Sequence, residues 1–226
     1  MLQAIIFDFD GVITDSEILH FRAFNAVLAR HGVKLTRQEY YRDYLGMSDV
    51  DCFKALIAEG RLQIDESRIG ALVAGKTRVF EELARTEGSI IEGVREFLKM
   101  LAQNYVRMAI CSGALRAEIE MILEEANLRH YFEEIVSAEE VTRGKPHPDG
   151  FLLALKKLNS PGNHPIGPSQ CVVIEDSRWG LQAANAAGMR TVAVTNTYEA
   201  DQLTNADKIV QRLDTLTVGD LQALCE

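Results

Sequence analysis

Two carboxylates stand at the end of the first apolar run of this sequence, Ala4-Ile5-Ile6-Phe7-Asp8-Phe9-Asp10-Gly11. Asp8 and Asp10 are two positions apart, and along an extended chain that spacing turns both side chains to one side. Two carboxylates so placed repel, and each raises the other's pKa unless a cation lies between them. The pair therefore asks for a metal, a shared proton, or phosphate chemistry that uses both acids. The plainer alternative is that Asp10 only opens a turn before Gly11 while Asp8 is solvated. Reactive residue types recur after other apolar runs. Ser112 and Gly113 follow the run from Val106 to Cys111, Lys145 lies in Gly144-Lys145-Pro146-His147-Pro148-Asp149, and Glu175-Asp176-Ser177 follows the run from Cys171 to Ile174.

The elements that must position these residues follow from periodicity. The run 4–7 reads as a buried strand, apolar on both faces as in a parallel sheet. After Ser16 the period changes: Ile18, Phe21, Phe24, Val27 and Leu28 recur at helical spacing up to Gly32, with Ser16-Glu17 as the N-terminal cap region. Helices are expected over 37–44, 50–59 and 65–86, with a break at Gly46, and no strand between 16 and 88. From Gly93 onward, expected strands at 106–111, 134–136, 171–174, 191–194 and 208–210 are interspersed with helices at 94–103, 114–126, 148–158, 179–187 and 217–225. Such a pattern predicts the α/β class: a doubly wound, Rossmann-like parallel sheet with helices on both faces. The sheet core is expected to comprise 1–15 and 89–226, interrupted by a helical insert at 16–88. The stretch 159–169, rich in Pro and Gly, reads as a surface loop. Sites in open parallel sheets form at the carboxyl ends of the strands. Asp8, Asp10, Ser112, Lys145, Glu175 and Asp176 should therefore converge on one edge, beside the Thr195-Asn196 end of the fifth strand.

Composition narrows the partners. The 226 residues are 47% hydrophobic, enough to bury a substantial core, and the net charge is −9. A chain so negative is a poor binder of nucleic-acid backbone, yet it can take an anionic small molecule at a positive or metal-bearing site. Cys52, Cys111, Cys171 and Cys225 form no CxxC or zinc-type spacing, which suits buried thiols in a reducing cytoplasm. No apolar run approaches the roughly 20 residues that span a bilayer, and the N-terminus enters a strand without a signal-peptide pattern, so no membrane association is expected.

Taken together, FDFDGVITDS, CSG after a strand, GKPHPD and VIEDS resemble the four signatures of the haloacid-dehalogenase-like superfamily of phosphohydrolases and phosphomutases. They occur in that family's order, and the likeness covers the whole chain. The branch most similar is the one of β-phosphoglucomutase and phosphoglycolate phosphatase, whose small helical cap the insert at 16–88 resembles. The resemblance implies that Asp8 is the nucleophile that forms an aspartyl phosphate and that Asp10 is the general acid and base. It implies Mg²⁺ held by Asp8, Asp176 and the backbone carbonyl of Asp10, with Glu175 as a ligand directly or through water. These are hard oxygen donors of the kind Mg²⁺ takes. The Ser112 hydroxyl and the N–H groups of Gly113 and Ala114 would bind phosphate oxygens, and Lys145 would offer a point charge to Asp8 and the phosphoryl group.

The same resemblance implies that the cap selects the substrate through His20, Arg22 and Lys76. One departure bears on activity: Asp49 stands where the mutase branch has an arginine that grips the non-reacting phosphate. Reversing that charge disfavours a doubly phosphorylated intermediate. The expected activity is a Mg²⁺-dependent phosphatase acting on a small phosphorylated metabolite such as a sugar phosphate. A β-phosphoglucomutase-like mutase is the alternative, and a phospho-acceptor signalling module is a remoter one.

Overall fold

The computed structural model describes residues 1–45, 47–87, 90–159 and 165–226. The expected break at Gly46 and residues 160–164 of the expected loop lie outside the described residues. The chain divides into two compact units, Met1–Asp15 with Ser89–Glu226, and Ser16–Gly88. In chain order, β1 (Ala4–Phe7) is followed by α1 (Glu17–Leu28), α2 (Arg37–Asp43), α3 (Asp49–Ala58) and α4 (Ile69–Glu87). Then come α5 (Val94–Gln103), β2 (Arg107–Cys111), α6 (Arg116–Glu125), β3 (Glu134–Val136) and α7 (Asp149–Leu158). The chain ends with β4 (Cys171–Glu175), α8 (Arg178–Ala186), β5 (Arg190–Val194), β6 (Lys208–Val210) and α9 (Val218–Leu224).

The described strands form one six-stranded sheet in the order β3-β2-β1-β4-β5-β6, every pair parallel. β1 is central and fully buried, as its unbroken apolar run requires, and it pairs with β2 on one side and β4 on the other. The register sets Phe7 beside Ile110 and Ile174, so the chain leaves all three strands at one level. This is also where the strand order reverses, the position at which a doubly wound sheet opens a crevice. Beneath that end, one face is filled by Ile6, Cys111, Phe151, Val173 and Ala184, among others. On the other, Phe7 meets Phe97 and Phe132 edge-on at centroid distances of 6.1 and 5.8 Å. Such pairs add about 0.5–1.5 kcal/mol each beyond the apolar area they bury.

The insert packs its own core around Phe24, Tyr40, Phe53 and Leu56. Asn25 knits it together: its amide donates to the carbonyl of Leu35 and its side-chain oxygen accepts from the Leu35 N–H. Thr36 and Glu39 form a reciprocal capping box at the start of α2.

Element ends depart from the sequence expectation where side chains cap them. Helix α6 begins at Arg116, not at 114, because the Ala114 N–H is taken by Ser112 Oγ and Leu115 is extended. Helix α4 begins at Ile69, after a 3₁₀ turn (Glu66–Arg68) opened by Asp65, which accepts from the Ser67 N–H. Strand β4 runs one residue further than expected, through Glu175, which places that acid in the interior. Among the described residues, no helix is long and apolar enough to cross a membrane.

Candidate active site

The first strand delivers Asp8 into a buried position, and its backbone N–H donates to the Ile174 carbonyl at 2.9 Å. The chain then turns back on itself. The N–H groups of Val12, Ile13 and Thr14 all donate to the Phe9 carbonyl, and the Gly11 N–H donates to Thr14. Gly11 has a left-handed φ of +74°, which favours glycine. Space imposes the same choice: a Cβ there would lie 1.9 Å from Asp176 Oδ2 and 2.7 Å from Thr197 Oγ1.

Lys145 joins the acids. Its ammonium lies 2.7 Å from Asp8 Oδ1 and 2.6 Å from Glu175 Oε1, and 5.3 Å from the Phe151 ring centre. Glu175 is wholly buried and its other oxygen accepts three bonds, from the N–H groups of Asp176 and Ser177 and from Ser177 Oγ, at 2.8–2.9 Å. Gly180 leaves room for this carboxylate, since a Cβ at that position would lie 1.6 Å from Glu175 Oε1. Asp8, Glu175 and Asp176 each offer a carboxylate oxygen within 4.8 Å of the others. Burial pushes Asp8 above the usual carboxylate range, the charges of Glu175 and Asp10 add to this, and Lys145 opposes it. Burial and the charges of Glu175 and Asp8 likewise raise Asp176, while a hydrogen bond from Thr197 lowers it. Lys145 is raised as well: burial lowers it, but Asp8 and Glu175 outweigh burial and hold the ammonium charged.

Three buried carboxylates against one ammonium leave negative charge uncompensated, and their oxygens are hard donors. That donor set fits a hard divalent cation. Glu175 already receives four donors, so the oxygens best placed for a cation are those of Asp8 and Asp176.

Ser112 is buried at the end of β2, its N–H on the Val136 carbonyl and its Oγ accepting from Ala114 N–H at 3.0 Å. The Ala114 amide expected to meet phosphate is therefore engaged, whereas Gly113 is exposed. Ser112, Gly113, Lys145 and His147 line a cavity of about 370 Å³ together with Val136 and Phe151.

In the insert, Lys76 is 1% exposed. Its ammonium lies 2.9 Å from Asp49 Oδ1 and 2.5 Å from His20 Nδ1, with the Phe24 and Phe80 ring centres each 5.2 Å away. The His20 ring stacks on Phe80. Burial, then the neighbouring ammonium, holds His20 well below its ordinary pKa, so the neutral ring accepts from Lys76. His20 and Lys76 are thus brought together, along with Asp49, and the half-buried Arg22 lies on the same helix as His20, α1.

Two residues that sequence reasoning left without a role touch the site. Asn196 donates to the Gly11 carbonyl at 2.8 Å, and Thr197 Oγ1 lies beside the Asp176 carboxylate at Gly11. Their position just past β5 was the available signal.

Residues 5–194 match the model of the haloacid dehalogenase-like hydrolases. The chain is 31% identical over 194 residues to "Phosphorylated carbohydrates phosphatase" of Thermotoga maritima, covering 84% of each chain. It is 31% identical to "Fructose-1-phosphate phosphatase YqaB" of Escherichia coli, covering 84% of this chain and 95% of that one. Among solved structures, CbbY from Rhodobacter sphaeroides in complex with phosphate superposes with a TM-score of 0.85 at 25% identity, covering 98% of this chain and 100% of that one. On the match across residues 5–194 and the identity to these relatives, the chain belongs to the haloacid dehalogenase-like hydrolases.

Proposed function

We propose that this chain is a Mg²⁺-dependent phosphatase that hydrolyses a small phosphorylated metabolite, a sugar phosphate or similar compound, through a phosphorylated Asp8. The observation that carries the reading is the Lys145 ammonium held between Asp8 and Glu175 at the carboxyl end of the central strand. A buried carboxylate with a fixed cation against one oxygen is poised to attack with the other. The two named sugar-phosphate phosphatases among its relatives support the substrate class.

In this reading an Asp8 oxygen attacks phosphorus in line with the ester oxygen, the P–O bond to the alcohol breaks, and Asp10 gives its proton to the leaving oxygen. Asp10 then takes a proton from water, which attacks the Asp8-bound phosphorus. The acyl phosphate breaks, and Asp8 and inorganic phosphate are released. Lys145 spreads the charge of the transferring group, Ser112 donates its hydroxyl to a phosphate oxygen, and the Gly113 N–H binds beside it. Glu175 orients Lys145. Asp8, Asp176 and the backbone carbonyl of Asp10 would hold Mg²⁺. When bound, the ion neutralises phosphate oxygens so that an anionic nucleophile can approach. The four free cysteines, three of them buried, suit work in the reducing cytoplasm.

The competing mutase reading needs a cation for a second phosphate. At position 49 the chain offers a carboxylate instead, and that carboxylate is bonded to Lys76. The test is Asp8→Asn with p-nitrophenyl phosphate as substrate: turnover is expected to vanish, and full activity would sink the nucleophile assignment. Interconversion of β-glucose 1-phosphate and glucose 6-phosphate faster than phosphate release would favour the mutase.

A further inference from the structure

The turn after β5 is firmly built, although it carries no residue of the proposed chemistry. Thr195 N–H donates to the Val210 carbonyl, extending the β5–β6 ladder by one bond. Tyr198 packs on a small buried cluster of Leu181, Ala193 and Leu203. Between these two anchors lie Asn196 and Thr197, and both reach the neighbouring strand ends. The Asn196 amide donates to the Gly11 carbonyl at 2.8 Å, across 185 positions of sequence. The Thr197 hydroxyl stands beside the Asp176 carboxylate and acts to keep it ionised. Thr197 Oγ1 and Asp176 Oδ2 both crowd the point where a Gly11 Cβ would stand, at 2.7 and 1.9 Å. Three segments, the turn after β1, the end of β4 and the turn after β5, therefore meet at Gly11.

We infer that Asn196 and Thr197 are positioning residues for the proposed reaction: Asn196 pins the turn that carries Asp10, and Thr197 fixes the rotamer of the metal-binding Asp176. The inference rests on the functional reading above, and it adds a second layer to it. An aspartate has two oxygens and a broad χ2, so a carboxylate without an orienting donor samples many directions. A donor on one oxygen leaves the other aimed at the ion, and hydrogen-bonded partners of metal ligands typically contribute 10–100-fold in affinity. The Gly11 carbonyl has a comparable need. Its residue sits in a left-handed conformation next to the proposed acid and base, and the Asn196 bond ties that peptide to a strand that does not take part in the turn.

The experiment uses the full chain and Mn²⁺ alone as the probe, with free Mn²⁺ read by electron paramagnetic resonance and melting temperature recorded for each variant. Thr197→Val keeps the side-chain shape and deletes the donor. It should weaken Mn²⁺ binding about tenfold, while Thr197→Ser, which keeps the hydroxyl, stays within about threefold of the parent. In phosphate-release assays the Mg²⁺ concentration for half-maximal rate should rise with Thr197→Val, and the rate at saturating Mg²⁺ should recover. Asn196→Ala, on an exposed side chain, should weaken Mn²⁺ binding in the same direction. Parent-like Mn²⁺ affinity in Thr197→Val, or equal weakening by Thr197→Val and Thr197→Ser, overturns the inference. Asp176→Asn separates this from the wider reading. If that variant loses Mn²⁺ while Thr197→Val does not, only the positioning role fails; if it binds like the parent, the metal site itself fails and the inference with it.

Discussion

Replacing Gly180 by alanine sets two known effects against each other. Gly180 lies in the first turn of α8, and its N–H donates to the capping Ser177 Oγ at 3.1 Å. In an unhindered helix the change to alanine gains up to about 1 kcal/mol, because glycine carries the larger loss of backbone freedom. Here the new methyl would fall 1.6 Å from Glu175 Oε1 and 1.9 Å from Glu175 Cδ, against the about 3.5 Å of a comfortable contact. The carboxylate has to leave its place. Doing so strains or breaks the three bonds on Oε2 and the bond to Lys145, and hydrogen bonds to charged groups are worth about 1.5–3 kcal/mol each. Loss of two of them outweighs the helix gain, and the net expectation is a destabilisation of about 3 kcal/mol. For a chain of this size that is on the order of 10 °C in melting temperature. Turnover of p-nitrophenyl phosphate should fall at least about a hundredfold, because Lys145 loses one of its two carboxylate partners and shifts. Gly70→Ala is the control: its added methyl meets nothing within 4 Å, and it should be neutral or slightly stabilising. A Gly180→Ala protein that melts at or above the parent and turns over normally would refute the view that Glu175 occupies that space for a purpose.

Two further outcomes are expected. Asp49→Asn removes the only carboxylate paired with the buried Lys76 ammonium in the described insert, and should cost about 1–3 kcal/mol in urea unfolding of the full chain; an unchanged midpoint would show that His20 alone suffices. Glu140 titrates low for a different reason: burial raises its carboxyl, but hydrogen bonds from Lys157, Ser137 and Arg116 outweigh this and hold it at about 2. A depressed folded-state pKa stabilises above the unfolded value and loses that contribution as pH falls through the folded one. The stability gap between parent and Glu140→Gln should therefore narrow between about pH 5 and pH 2, and a gap constant with pH would contradict the assignment.

Sequence periodicity carried the fold a long way because its main elements are local patterns. The runs at 4–7 and 171–174 are apolar on both faces, the insert repeats at helical spacing, and Ser48, Ser177 and Thr217 cap helices where hydroxyls precede an apolar period. Strand ends then placed Asp8, Ser112, Glu175 and Asp176 on one edge by topology alone. What could not be read depends on residues distant in sequence. Nothing local announces that Gly180 must be small for Glu175, that Asp49 bonds to Lys76, or that Asn196 reaches Gly11. The 3₁₀ turns at Ala138–Glu140, Pro168–Gln170 and Ala200–Gln202 escaped for another reason: three residues carry no hydrophobic period.

The residues flanking the insert carry a consequence for how such a protein changes. Thr14 bridges Ile90, and the Ile91 N–H donates to the Ile13 carbonyl at 3.0 Å, so the chain's exit from the sheet unit and its return are stitched side by side. A segment spliced between those two points finds its ends already held at a fixed spacing. Even doubling its length costs only about 0.6 kcal/mol of closure entropy. One such module can be exchanged for another while the bonds among Asp8, Lys145 and Glu175 stay untouched, so the insert is open to replacement as a single block.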